Sequence, residues 1–89
     1  MDTNKKELIE MYDGIIKSYR RQLKDTQKSY DNYRKMLKTV PASDFGDKYD
    51  EIVRLVDGYE DIIKEIEVKL AAMETKHNEF KSAFEKENN

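Results

Sequence analysis

The sequence predicts an all-α fold: a two-helix antiparallel coiled-coil hairpin, completed by a second chain as a four-helix assembly. Three observations predict it. The only proline, Pro41, sits near the middle of 89 residues. Apolar residues recur at alternating steps of three and four over long stretches on both sides of it. The two stripes also face each other in a constant register when the chain is folded back near residue 43.

The first helix is expected over about residues 4–39. Asn4 followed three residues later by Glu7 reads as a capping box, in which each side chain satisfies a backbone N–H that the helix leaves free. Its apolar stripe reads Leu8, Tyr12, Ile15, Tyr19, Leu23, Thr26, Tyr30, Tyr33, Leu37 and Val40, with two consecutive steps of four around Tyr19. A doubled step of four is a local phase slip that relaxes a supercoil.

The turn is expected at about 40–44. Pro41 biases Val40 away from helical geometry and cannot continue a helix from the left. Ser43 and Asp44 are each able to cap the second helix.

The second helix is expected over about 45–86. Its stripe is Phe45, Tyr49, Ile52, Val56, Tyr59, Ile63, Ile66, Leu70, Met73, His77, Phe80 and Phe84, a strict heptad for more than five repeats. Folding the stripes together pairs Leu37 with Tyr49, Tyr33 with Ile52, Tyr19 with Ile66 and Tyr12 with Met73. The single domain is therefore a hairpin over residues 1–89. The six tyrosines all fall on the seam, where core packing with the hydroxyl at the rim explains them, the alternative being that some are hot spots for a partner.

Composition sets the function classes. Charged residues make up 40% of the chain and the hydrophobic set 37%, with one Pro and three Gly, too few turn residues for a sandwich or barrel. Absence of cysteine excludes disulfide scaffolds and thiol catalysis. No run of roughly 20 apolar residues exists, so no membrane span is expected. Lys5 and Lys6 precede no apolar segment of the signal-peptide type, so the expected location is the cytoplasm, or the exterior without a cleaved signal peptide.

Net charge is −2, but residues 1–40 carry +4 and residues 41–89 carry −6. The basic arm beside the acidic arm favours the antiparallel pairing. Lys17, Arg21, Lys24, Lys28 and Lys35 share one outer side of the first helix. Asp25 and Asp31 interleave with them and the chain is acidic overall, so the side reads as solvated and nucleic-acid binding is not expected.

No phosphate-cradling loop or nucleophile motif is present. Glu74-Thr75-Lys76-His77 has the Glu-x-x-His spacing of a di-metal bundle site, but the seam supplies no further inward Glu. No catalytic residue, metal site or cofactor is expected, and no small-molecule substrate.

What the seam leaves over is apolar. Ile9, Ile16, Met36, Val53, Leu55, Ile62 and Val68 flank it, wider than a two-stranded coil needs. The expected partner-binding residues are Ile9, Ile16, Met36, Val53, Leu55 and Ile62, joined by Phe80 and Phe84, which overhang the first helix. The expected partner is another helical protein or a second copy of the chain. Gly14 and Gly58, inside helices, either allow close approach of such a helix or are exposed and indifferent.

A chain just under 100 residues with two long helices and one central turn resembles the WXG100 superfamily of small helical hairpins. It is also similar in outline to the small helical partners of LXG toxins. The family's turn carries Trp-x-Gly where this chain has Asp44-Phe45-Gly46. Its tail signal, Tyr-x-x-x-Asp/Glu, has Phe80, Phe84 and Asn88 in the corresponding region. The resemblance implies a non-enzymatic interaction module: a type VII secretion protein, usually a dimer, or the targeting partner and chaperone of a secreted toxin. The alternative is a cytosolic or phage-encoded coiled-coil adaptor, inhibitor or assembly factor.

Overall fold

The computed structural model describes residues 2–88. Two long helices, α1 (Asp2–Thr39) and α3 (Tyr49–Asn88), run antiparallel and side by side. A short helix α2 (Ala42–Phe45) and a 3₁₀ turn (Gly46–Lys48) join them. The molecule is a rod of 66 × 16 × 14 Å. That length is what helices of 38 and 40 residues need at about 1.5 Å per residue.

The bend is longer than the sequence suggested. Val40 N–H still reaches back to the Met36 carbonyl at 2.9 Å, but Pro41 has no N–H to continue the ladder. Pro41 instead opens α2 with extended dihedrals, φ −57° and ψ 140°, and its carbonyl accepts from Asp44 N–H at 2.9 Å. Ser43 and Asp44 thus lie inside α2, and neither provides a side-chain cap. Gly46 reverses the chain at φ 61° and ψ −131°, a region closed to residues with a Cβ. The connection therefore runs over 40–48 rather than 40–44. At the other end α1 begins at Asp2, so Asn4 is inside the helix rather than at its cap.

A longer bend delays the entry of α3 into the seam. Tyr33 stacks on Tyr59, with ring centroids 5.8 Å apart and planes 20° apart, not on Ile52. Tyr12 packs on Phe80 at 5.4 Å, not on Met73. Lys5 with Glu87 and Arg20 with Glu74 follow the same register. Each facing pair is displaced by one full heptad from the expected one. A slip of one heptad keeps apolar positions on apolar positions, so neither stripe distinguishes the two registers.

The stripe of α1 is also corrected. Ile16, expected beside the seam, is the most buried of the described residues at 3% exposed, and Val56 and Ile66 are the other buried ones among them. The seam of α1 is Ile9, Tyr12, Ile16, Tyr19, Leu23, Thr26, Tyr30, Tyr33, Leu37 and Val40, in which threes and fours alternate without interruption. No phase slip is needed. Leu8 and Ile15 are half-buried at its side. The polar member, Thr26, donates its hydroxyl to the Gln22 carbonyl at 2.7 Å, so its polar group is satisfied within the helix.

Candidate partner-binding face

The unbroken seam fixes a heptad frame. With a at Ile9, Ile16, Leu23, Tyr30 and Leu37 in α1, and at Val56, Ile63, Leu70 and His77 in α3, every other residue has a place around its helix. In an antiparallel pair the e positions of both helices border one broad face, and the g positions border the other. Arg20 and Glu74 are both e residues, and the Arg20 guanidinium donates to Glu74 Oε1 at 3.0 Å, which confirms the frame.

The face built from positions b and e is charged. In α1 it comprises Glu10, Asp13, Lys17, Arg20, Lys24, Gln27, Asp31, Arg34 and Lys38, eight of nine of them ionisable. It also carries cross-helix polar contacts. The Tyr30 hydroxyl donates to Glu60 Oε1 at 2.6 Å, and the Arg34 guanidinium lies 5.4 Å from the Tyr30 ring centroid. The bond to Glu60 holds the Tyr30 phenol above its ordinary pKa, because ionising it would put two anions in contact. Asp13 is bonded to Lys17 at 2.9 Å, which holds its carboxyl below the usual range.

The opposite face, built from c and g, is different. In α1 it comprises Leu8, Met11, Ile15, Ser18, Gln22, Asp25, Ser29, Asn32, Met36 and Thr39, and Asp25 is the only charge among the ten. On α3, from Leu55 on, it carries Leu55, Gly58, Ile62, Glu65, Lys69, Ala72, Lys76, Glu79, Ala83 and Lys86, five of the ten charged, so the depletion of charge belongs to α1. Leu55 is 42% and Ile62 45% exposed, and Met11 and Met36 are also exposed. Its α3 ion pairs, Lys69 with Glu65 and Lys76 with Glu79, each close within the helix. The first of them holds the Lys69 ammonium above its ordinary pKa.

The expected partner-binding residues divide accordingly. Met36, Leu55 and Ile62 come together on the c/g face, and Phe80, resting on Tyr12, borders it. Ile9 and Phe84 are half-buried a residues of the seam itself. Phe80 and Phe84 do not overhang α1, because the one-heptad shift brings the start of α1 alongside them. Ile16 is core, since it faces α3 directly, and so is not a surface contact. Val53 is half-buried on the charged face, and Val68, 71% exposed, points away from both. The sequence reading missed Met11 and the run of small uncharged residues beside it. The signal was the distribution of charge around α1, visible once the a positions are placed. A Cβ built on Gly14 or Gly58 meets nothing within 4 Å, so neither glycine is required by packing inside the hairpin.

His77 borders a shallow depression with Asp13, Ile16, Arg20, Glu74 and Asn78. Glu74 there is engaged by Arg20, and among the described residues no group of three or more His, Asp or Glu is placed to hold a metal ion. Among the same residues no helix is long and apolar enough to cross a membrane. No family model, curated protein or solved structure matches the chain.

Proposed function

We infer that this chain is a non-enzymatic protein–protein interaction module that presents its c/g face to another helical surface. The observation that carries this reading is the single charge among ten c/g positions of α1, in a chain of which 40% is charged. Interface cores are depleted of charge in this way, whereas solvated helix faces are not. Exposed Met36, Leu55 and Ile62 supply the apolar content.

The WXG100-like outline supports a more specific version. In it the chain serves type VII secretion, as a secreted hairpin or as the targeting partner and chaperone of an LXG toxin whose N-terminal helices cover the c/g face. The details of the bend and tail favour the second reading, a coiled-coil adaptor, inhibitor or assembly factor. Phe45 packs on Tyr49 at 5.9 Å beside Gly46, in place of a Trp-x-Gly turn, and Phe80 is held against Tyr12 rather than offered by a free tail.

Co-expression with the N-terminal helices of a genetically neighbouring toxin separates the two. Under the secretion reading the pair co-purifies, and Leu55→Asp with Ile62→Asp releases it while helicity by circular dichroism is kept. Retention of the toxin by that double variant would place the contact elsewhere.

A further inference from the structure

We propose that the outer row of α1 from Lys17 to Lys38 is an electrostatic docking ridge for an anionic lipid surface, against which the rod lies with α3 turned outward. The row is separate from the c/g side of α1 and leaves that side free.

The heptad frame isolates the row. Over this stretch, positions b and f of α1 hold Lys17, Arg21, Lys24, Lys28, Asp31, Lys35 and Lys38, six cations in seven places, and all seven are exposed. Asp25, which interleaves with them in the sequence, lies at c, off the row. The row is about 30 Å long at about 1.5 Å per residue. Lys17 and Arg21, and Lys24 and Lys28, stand four residues apart, while Arg21 and Lys24, and Lys35 and Lys38, stand three apart. Like charges at these spacings repel and weaken a helix. At the same spacings α3 sets Glu65 beside Lys69 and Lys76 beside Glu79, and both pairs close. Among the described residues, Lys17 is the one member of the row in an ion pair, with Asp13. Mixed charge would solvate this side without the repulsion, whereas an external anionic layer turns the repulsion into attraction.

The make-up of the row indicates which anion it fits. Five of its six cations are lysines. The arginines at the neighbouring e positions are engaged inside the hairpin, Arg20 by Glu74 and Arg34 over the Tyr30 ring. Arginine grips single phosphates through paired donors, as nucleic-acid recognition favours, whereas lysine is a hydrated point charge suited to a diffuse field. No Asn, Gln or aromatic side chain lies in the row to read or stack on a base. A straight row meets a flat layer of headgroups along its whole length, but meets a duplex only where the curving strands cross it. Clusters of about four to eight Lys and Arg on one helix are the size that anionic lipid attracts. The row has no apolar member, so the contact is adsorption on charge alone, without insertion. The acids of α3 do not cancel it. Glu60, Glu67 and Glu74, at e, belong to a helix whose axis stands about 8–10 Å farther back, about one Debye length in physiological salt. Asp57 and Asp61, on the outer side of α3, stand farther still.

Co-sedimentation of the full chain with phosphatidylcholine vesicles holding about 30 mol% phosphatidylserine tests the proposal. Binding is expected at about 0.1 M salt, and it should be lost by about 0.5 M salt and on phosphatidylcholine alone. Lys24→Gln with Lys28→Gln should weaken it about 25-fold, roughly fivefold for each charge near the surface. Lys64→Gln with Lys86→Gln makes the same change in net charge on α3 and should leave binding within about twofold of wild type. Glutamine matches lysine in helix propensity, and circular dichroism on both variants verifies that the hairpin is kept. Absence of binding at about 0.1 M salt overturns the proposal, as does binding that survives about 0.5 M. Equal losses from the two pairs of substitutions overturn it as well, because net charge rather than the row would then be the cause. The last arm is fluorescence anisotropy with a labelled DNA duplex in the same low-salt buffer. Tighter binding to the duplex than to the vesicles, weakened by Lys24→Gln with Lys28→Gln, would make the partner nucleic acid and overturn the lipid surface.

Discussion

The two sides of α1 obey opposite rules. Along positions b and e, nearly every residue is charged, and two of the polar contacts that tie α1 to α3 end there, Arg20 with Glu74 and Tyr30 with Glu60. Along c and g, charge is almost absent, and methionine, isoleucine, serine and asparagine take its place. Both sides border the same seam and are about equally far from it. Stability of the hairpin alone does not call for the difference, since exposed ion pairs contribute only about 0–1 kcal/mol each. A helix that met only its hairpin partner would solvate both sides with charge. The asymmetry is confined to α1, since α3 carries Glu65, Lys69, Lys76, Glu79 and Lys86 at its c and g positions, and it is what the proposed function rests on.

The contrast between the faces depends first on where the seam runs, and the adjacent pair Ile15 and Ile16 locates it. Ile16→Ala should cost about 2–4 kcal/mol, because it opens a cavity at the most buried point of a thin core. Ile15→Ala, at a half-buried g position, should cost less than half as much in a dilute monomer. Thermal unfolding followed at 222 nm measures both. Equal costs would mean the seam passes between them, and the face assignments of α1 would shift with it.

The second dependence is the register, which a double-mutant cycle tests with a smaller effect. Tyr33→Ala and Tyr59→Ala should be coupled by about 0.5–1.5 kcal/mol, the range for stacked aromatic pairs. Tyr33→Ala with Ile52→Ala should be additive, since those side chains lie one heptad apart in the folded hairpin. Coupling of Tyr33 to Ile52 instead would restore the shorter bend and move every g residue of α3 along α1.

Much of this was legible in the sequence. The all-α class, the central break and the antiparallel return follow from Pro41 and the heptad stripes, because no other arrangement buries both. The register was not legible to better than a heptad. Tyr12 meets an apolar residue whether it faces Met73 or Phe80, so the pattern alone is degenerate, and only the length of the bend decides. That length depends on α2 and on the positive φ of Gly46, which apolar spacing does not encode. Ile16 was misplaced for a related reason. Two neighbouring isoleucines both satisfy a three-or-four step, and choosing Ile15 forced a phase slip that choosing Ile16 removes. For the contact face, Met36, Leu55 and Ile62 were readable as surplus apolar residues. The depletion of charge around them was not, because it is visible only in the correct frame.

The charged face carries the smallest effect, and it is a dependence on pH. Tyr30 donates to Glu60, and this bond raises the phenol's pKa in the folded hairpin above its value in the unfolded chain. A group raised in this way lends stability that is complete below its unfolded pKa and is lost as pH climbs through the folded one. For tyrosine that window opens near pH 10. Unfolding midpoints in urea should therefore fall between about pH 9.5 and 11, and Tyr30→Phe should flatten part of that fall. Glu60→Gln should flatten it as well, since an amide carbonyl accepts the hydroxyl without repelling the phenolate. If both variants keep the wild-type slope, the Tyr30–Glu60 bond does not persist in solution. Arg20 with Glu74 would then be the cross-helix contact left on the charged face among those described, which makes that face still more nearly a solvated surface and deepens its contrast with the c/g side of α1.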